Sequence, residues 1–173
     1  MTAGSSPQEA TAPEAPATGR ANYTGAVYGS LLAASVVAGA GSAGPYPRLQ
    51  LVLLLICTGL VFWVAHVYAG FVGDRLRGGG VTRREIRRVC VREWPIVQAA
   101  LLPAAAVAVS PLLGLGLEGT AWLALSVAVA QQVGWAGAAV VRVGASRWEV
   151  VSAGFVNLVL GLVIVAAKVA LQH

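Results

Sequence analysis

Five apolar stretches, at about residues 24–44, 49–73, 94–117, 120–143 and 150–171, alternate with short segments that hold most of the chain's charge. Each is close to the ~20 residues that cross ~30 Å of hydrocarbon at ~1.5 Å per residue. Backbone groups in lipid must be bonded within their own segment, so stretches this long and this apolar predict helices. The fold class expected is all-α, a polytopic transmembrane bundle of five spans occupying residues 23–173. Residues 1–22 are rich in Ala, Pro, Ser, Thr and Gly with almost no large apolar side chains, and predict a disordered N-terminal tail.

The first stretch differs from the others in its small residues. Gly25, Gly29 and Ala33 recur at i, i+4 and i+8 on one face, the spacing of a helix that packs closely against another. Ala38-Gly39-Ala40 could serve instead as a signal-peptidase site. The leader would then be long, with Arg20 as its only positive charge, so an uncleaved helix is favoured.

Charge sets the orientation. Only 11% of the 173 residues are charged, against about 25% in soluble domains, and the mean hydropathy is +0.74. Seven of the twelve basic residues lie between Asp74 and Arg92, and the turn after the fourth span adds Arg142 and Arg147. The turns around Pro45 and Glu118 carry one base, Arg48, and none. By the positive-inside rule the arginine-bearing loops are cytoplasmic, which puts the N-terminus inside and the C-terminus outside. The net charge of +5 therefore belongs to topology and anionic lipid rather than to nucleic acid, since no soluble basic domain accompanies it.

The segment Val81–Glu93 predicts a short amphipathic helix. Thr82 and Glu85 form a capping box, and Gly78-Gly79-Gly80 lets the chain turn just before it. Arg84, Arg88 and Arg92 stack at i, i+4, i+8 with Arg83 and Arg87 beside them, while Ile86, Val89 and Cys90 make the other side. Such a helix is expected to lie in the interface between spans two and three, its arginines among cytoplasmic lipid phosphates. A plain topogenic anchor and a docking surface for a cytoplasmic partner remain alternatives. Pro95 opens the third span, where a missing N–H costs least.

A few polar residues stand inside the apolar stretches. His66 lies about seven residues from the cytoplasmic end of its span and Asn157 about seven from the start of its own, so the two share a depth. Gln131 and Gln132 sit nearer the middle of the fourth span, and Gln98 low in the third. Intramembrane ionisable groups are functional candidates because burying them is costly, and a histidine changes charge near neutral pH. The competing role is hydrogen-bonded packing between helices, with His66 reaching Asn157. Lys168, the only lysine, shares the bundle-facing side of its helix with Ala153, Gly154, Asn157 and Gly161, and near the outer end its stem is long enough to snorkel to the outer headgroups or to reach Glu118.

The chemistry of enzymes is missing from this pattern. There is no HExxH, GxSxG, Walker loop or paired acids for a metal, so no catalytic residue, metal site or cofactor is expected. Cys57 and Cys90 lack CxxC spacing and predict free structural thiols.

Four runs, FWVAHVYAGFVG, TRREIRRVCVREWPIV, WLALSVAVAQ and LGLVIVAAKV, resemble a group of small actinobacterial polytopic membrane proteins, over about Tyr28 to the C-terminus. That resemblance implies a bacterial plasma membrane and no activity. It carries no functional residue onto this chain.

Two function classes follow from the residues. One is a non-catalytic membrane component that binds anionic lipid or partners. The other is a small channel or transporter for protons or ions using His66, Asn157 and Gln131, which five spans would support only as a homo-oligomer. The topology is directly testable. With Cys57 and Cys90 replaced, single cysteines at 45, 118 and 173 should label from outside and those at 79 and 145 should not. Labelling at 79 would reverse the orientation.

Overall fold

The computed structural model describes residues 18–40, 45–76, 82–142 and 144–172. Among them are six helices and no strand: α1 (Thr18–Gly39), α2 (Pro47–Leu76), α3 (Arg83–Glu93), α4 (Pro95–Val109), α5 (Leu117–Arg142) and α6 (Arg147–Gln172). Three stretches are long and apolar enough to cross a membrane, Pro47–Gly73, Leu117–Arg142 and Arg147–Ala170. The first apolar stretch, Tyr23–Gly39, is shorter. The helix α1 begins at Thr18, inside the stretch expected to be a tail, because extending an established helix costs far less than starting one. Residues 1–17 and the Gly78-Gly79-Gly80 run lie outside the described residues.

The third stretch ends early. The helix α4 has 15 residues and stops at Val109, well short of the expected 117. The turn that follows is closed by Gly114 at φ +68°, with Gly114 N bonded to Pro111 O at 3.1 Å and Leu115 N to Ser110 O at 3.2 Å. These two bonds are a Schellman closure, which needs a residue comfortable in the left-handed region. Gly144, at φ +70°, closes α5 in the same way, with Ala145 N on Val140 O. A capping box then starts α6: Ser146 N donates to Glu149 Oε2 at 2.7 Å, and Glu149 N to Ser146 Oγ at 3.4 Å.

Side-chain pairings give the helix directions. Gly25 meets Ile96 and Gly29 meets Ala99, so α1 and α4 run parallel. Tyr23 meets Trp135 edge-on and Ser30 bonds Gln131, so α5 runs against α1. Gln132 meets Asn157 and Val129 meets Gly161, so α6 runs against α5. Gly59 lies on Ala100, Trp63 on Trp94 and Gly70 on Val89, so α2 runs against the α3–α4 segment from Val89 to Ala100. The buried core lies where α1, α4 and α5 meet, around Ala33, Ala34, Val37, Ala104, Val107, Ala124 and Ala128.

That last register brings α3 against α2. As α2 advances from Gly59 to Gly70, its partner falls from Ala100 to Val89 with no jump at Pro95. Trp94 keeps right-handed helical angles, φ −54° and ψ −32°, so α3 continues the line of α4. Val89 and Cys90 consequently face α2, while Ile86 on the same expected apolar side stays exposed; Val89 is buried, and Cys90 O accepts from Trp63 Nε1 at 3.0 Å. The break in the ladder explains that bond. Pro95 has no N–H to give Val91 O, Trp94 N goes there instead at 3.4 Å, and Cys90 O is left for the indole.

The closest approaches are at glycines. A Cβ on Gly29 would stand 2.9 Å from Ala99 Cβ and 3.0 Å from Ile96 O; one on Gly59 would stand 2.9 Å from Ala100 Cβ. The Ile96–Ala100 turn of α4 is therefore held between α1 and α2 by two missing side chains. Gly29→Leu should push α1 off the backbone of α4 and cost about 1–3 kcal/mol by overpacking. Gly39→Ala, with nothing within 4 Å, should be neutral or stabilising. Thermal unfolding of the purified protein checks both, and an unchanged transition for Gly29→Leu would contradict the close crossing.

Candidate functional site

The buried side chains and the exposed ones reverse the usual order. Ser30, Ser110, Thr120, Gln132 and Lys168 are buried, while Val61, Phe155, Val163 and Leu112 are 60–85% exposed. Buried polar groups therefore gather between helices in two places, and a third, charged place lies on the exposed surface of α3.

The first is a layer across α1, α5 and α6. Ser30, fully buried, gives its hydroxyl hydrogen to Ala26 O at 2.8 Å and accepts from Gln131 Nε2 at 3.2 Å. Gln132, also fully buried, donates from Nε2 to Asn157 O at 3.0 Å and Asn157 Oδ1 at 3.2 Å, and Asn157 Nδ2 donates to Ala153 O at 2.9 Å. The side-chain oxygens of both glutamines are buried without a partner. Val129 fills the space at Gly161 and Val133 that at Gly154, so apolar contacts bracket the Gln132–Asn157 pair on both sides along α6.

His66 belongs elsewhere. Its Nδ1 lies 2.9 Å from Phe62 O, one turn back on its own helix, and since a carbonyl only accepts, Nδ1 carries the proton. Its ring tilts against Tyr28 of α1 with centroids 5.4 Å apart. The expected His66–Asn157 contact is replaced by these: α2 packs on α4, whereas α6 packs on α5. His66, Asn157 and Gln131 do not converge on one site, and Gln98 is exposed on α4.

Lys168 corrects a second expectation. It is 3% exposed, so the stem does not snorkel outward; the face it shares with Gly161 is the one α6 turns to α5. No hydrogen bond or ion pair holds it among the described residues. At the same end of the bundle, Arg48 is bonded to the α4–α5 turn: Nη2 donates to Leu115 O at 2.5 Å and Nε to Thr120 Oγ1 at 3.3 Å. Thr120 Oγ1 lies 2.8 Å from Ser110 Oγ, which donates to Val107 O at 2.8 Å. Sequence reasoning passed over this network; its trace was a single arginine in an otherwise base-free pair of turns.

The third place is α3. The capping bond is present, Glu85 N to Thr82 Oγ1 at 3.3 Å. Arg83, Arg84, Arg87 and Arg88 are exposed and without ion-pair partners among the described residues. Arg92 differs. It pairs with Glu93 at 2.9 Å, half-buried over Gly70. Along the stripe 83, 87, 91, 94 the exposed residues change from arginine to Val91 and Trp94, which are 65% and 42% exposed. Polarity thus changes along the axis of this helix as well as around it. Arg142 lies over the Tyr23 ring, 5.4 Å from its centroid, at the same end of the bundle.

Cys57 and Cys90 are free thiols, and no cluster of three or more His, Cys, Asp or Glu side chains is found among the described residues. No protein-family model matches the chain, and no curated protein or solved structure does.

The two basic residues at the far end should respond oppositely to neutral replacement. Arg48→Met orphans Leu115 O and should cost about 1.5–3 kcal/mol. Lys168→Met removes a buried amine that has no partner among the described residues and should stabilise by on the order of 1 kcal/mol. Unfolding midpoints in one detergent check the pair; a destabilised Lys168→Met would show that the amine has a partner.

Proposed function

We propose that this chain is a polytopic protein of a bacterial plasma membrane, non-catalytic, whose cytoplasmic arginines bind anionic lipid headgroups. The observation that carries this reading is the stripe on α3 and α4. Four arginines without an ion-pair partner among the described residues stand at one end, and Val91, Trp94, Leu101 and Leu102 continue below them, all exposed. A phospholipid has the same order, phosphate first and acyl chain after it, and each basic residue near an anionic surface contributes about 1 kcal/mol.

The exposed apolar residues of α2 and α6 support the same reading, because a soluble monomer rarely exposes more than a few hundred Å² of contiguous apolar surface. The alternating helix directions allow five crossings, with the N-terminus cytoplasmic and the C-terminus outside. The third would run from about Val91 to Val109, the last turn of α3 adding the length that α4 lacks. The aromatic groups Tyr23, Trp63, Trp94 and Trp135 pair near the arginine-bearing end, where interfacial aromatics are enriched. A channel or transporter built on His66, Asn157 and Gln131 finds less support, since His66 bonds on its own helix and packs on Tyr28, away from the layer that holds Gln131 and Asn157.

Native mass spectrometry of the protein released from mixed anionic and zwitterionic nanodiscs tests the proposal. Replacing Arg83, Arg84, Arg87 and Arg88 by Gln should cut retained anionic lipid at least tenfold, and 1 M salt should do the same to the unaltered protein. Equal retention by the variant would defeat the lipid assignment.

A further inference from the structure

The turn between α4 and α5 is apolar, exposed and closed on itself. Leu112 and Leu113 are 85% and 60% exposed, and they continue the exposed face of α4 formed by Leu101, Leu102 and Val109. No charged residue stands anywhere between Pro95 and Leu117. The backbone sets this turn apart from an ordinary loop. Ser110 N bonds Ala106 O, Leu112 N bonds Val109 O, Leu113 N and Leu115 N share Ser110 O, and Gly114 N bonds Pro111 O. Pro111 has no N–H, so every backbone donor from 110 to 115 is met inside the protein. The Ser110 hydroxyl goes to Val107 O, and from the bundle side Arg48 donates to Leu115 O and Thr120 to Gly116 O. Water meets the N–H groups of an ordinary loop; hydrocarbon cannot, and a segment that enters it must bond its own.

We propose, on the polytopic reading of the chain, that Ser110–Leu115 is a lipid-inserting turn. Its partner is the glycerol and upper acyl region of the leaflet opposite the arginines. The acceptors set the depth. The carbonyls of Leu112, Leu113 and Gly114 take no hydrogen bond among the described residues, so they need donors that the hydrated glycerol level supplies and the chain ends lack. Just beyond, α5 opens with the unbonded N–H groups of a first helical turn and with exposed Glu118, which belong in water. A crossing from Val91 to Val109 covers about 27 Å at about 1.5 Å per residue, which ends α4 near the far edge of ~30 Å of hydrocarbon. The turn therefore lies where interfacial segments lie, with its leucines toward the acyl chains and its carbonyls toward the headgroups. It has no basic residue, so its contact with lipid is indifferent to headgroup charge, unlike that of α3.

Fluorescent NBD groups on single cysteines at 112, 113, 118 and 160 test the insertion, in the full chain in phosphatidylcholine nanodiscs with Cys57 and Cys90 replaced. Leu160, 44% exposed in the middle of α6, reports whether the bundle crosses the bilayer at all. Aqueous iodide should quench 112 and 113 about threefold less than 118. Doxyl lipids labelled near the glycerol should quench 112 and 113 more than those labelled near the chain end, and at 160 the order should reverse. Adding anionic lipid should leave 112 and 113 unchanged. Iodide quenching at 112 and 113 equal to that at 118, with 160 still quenched from the lipid, would overturn the insertion alone and leave a water-facing patch for a protein partner. Iodide quenching at 160 as strong as at 118 would remove the crossing itself, and the insertion with it.

Discussion

The bundle depends on how closely its backbones approach where side chains are missing. The Ile96–Ala100 turn of α4 lies between Gly29 of α1 and Gly59 of α2, and Gly161 of α6 receives Val129 of α5. Where the surroundings are as apolar as the interior, burial of hydrocarbon gives little drive for helices to associate, and contact at small residues has to supply it. In the proposed membrane reading, that constraint accounts for a core made largely of alanine and for the large aliphatic residues being left on the outside. It also accounts for hydrogen bonds appearing between helices, because a buried amide or hydroxyl there has no solvent to return to.

The same constraint shapes the α3–α4 rod. Proline at 95 opens the ladder, and Trp63 closes the gap from α2 by donating to Cys90 O. A break that would weaken an isolated helix thus becomes a point of attachment, and α3 stays aligned with α2 instead of turning away. The arginines are carried on an extension of a membrane-crossing helix, so their height above the bilayer is fixed by the register with α2 in the proposed reading.

Helices two, four and five of the apolar pattern were legible because length and composition alone define them; α2, α5 and α6 begin and end within about three residues of expectation. The third was misjudged because its terminator sits inside leucines: Leu112, Leu113 and Leu115 hide a turn that only Pro111 and Gly114 announce. The small-residue face Gly25, Gly29, Ala33 was legible, since spacing says which residues share a face. Its partner was not. The His66–Asn157 pairing failed for that reason: equal depth on two helices does not say that the helices adjoin, and here α2 and α6 pack on different neighbours. The Gln132–Asn157 bond used one of the right residues with the wrong partner.

The central claim is that α3 and α4 form one rod that carries the arginines out of the membrane along its axis. Nitroxides at the exposed positions 84, 88, 91, 98 and 102, in the full chain reconstituted in bilayers, measure depth from the ratio of oxygen to nickel-chelate accessibility. The account predicts depth rising steadily from 84 to 102, by about 1.5 Å per residue less the tilt. Equal depths at 84, 88 and 91 followed by a step at 98 would mean that α3 lies flat in the interface and would contradict it.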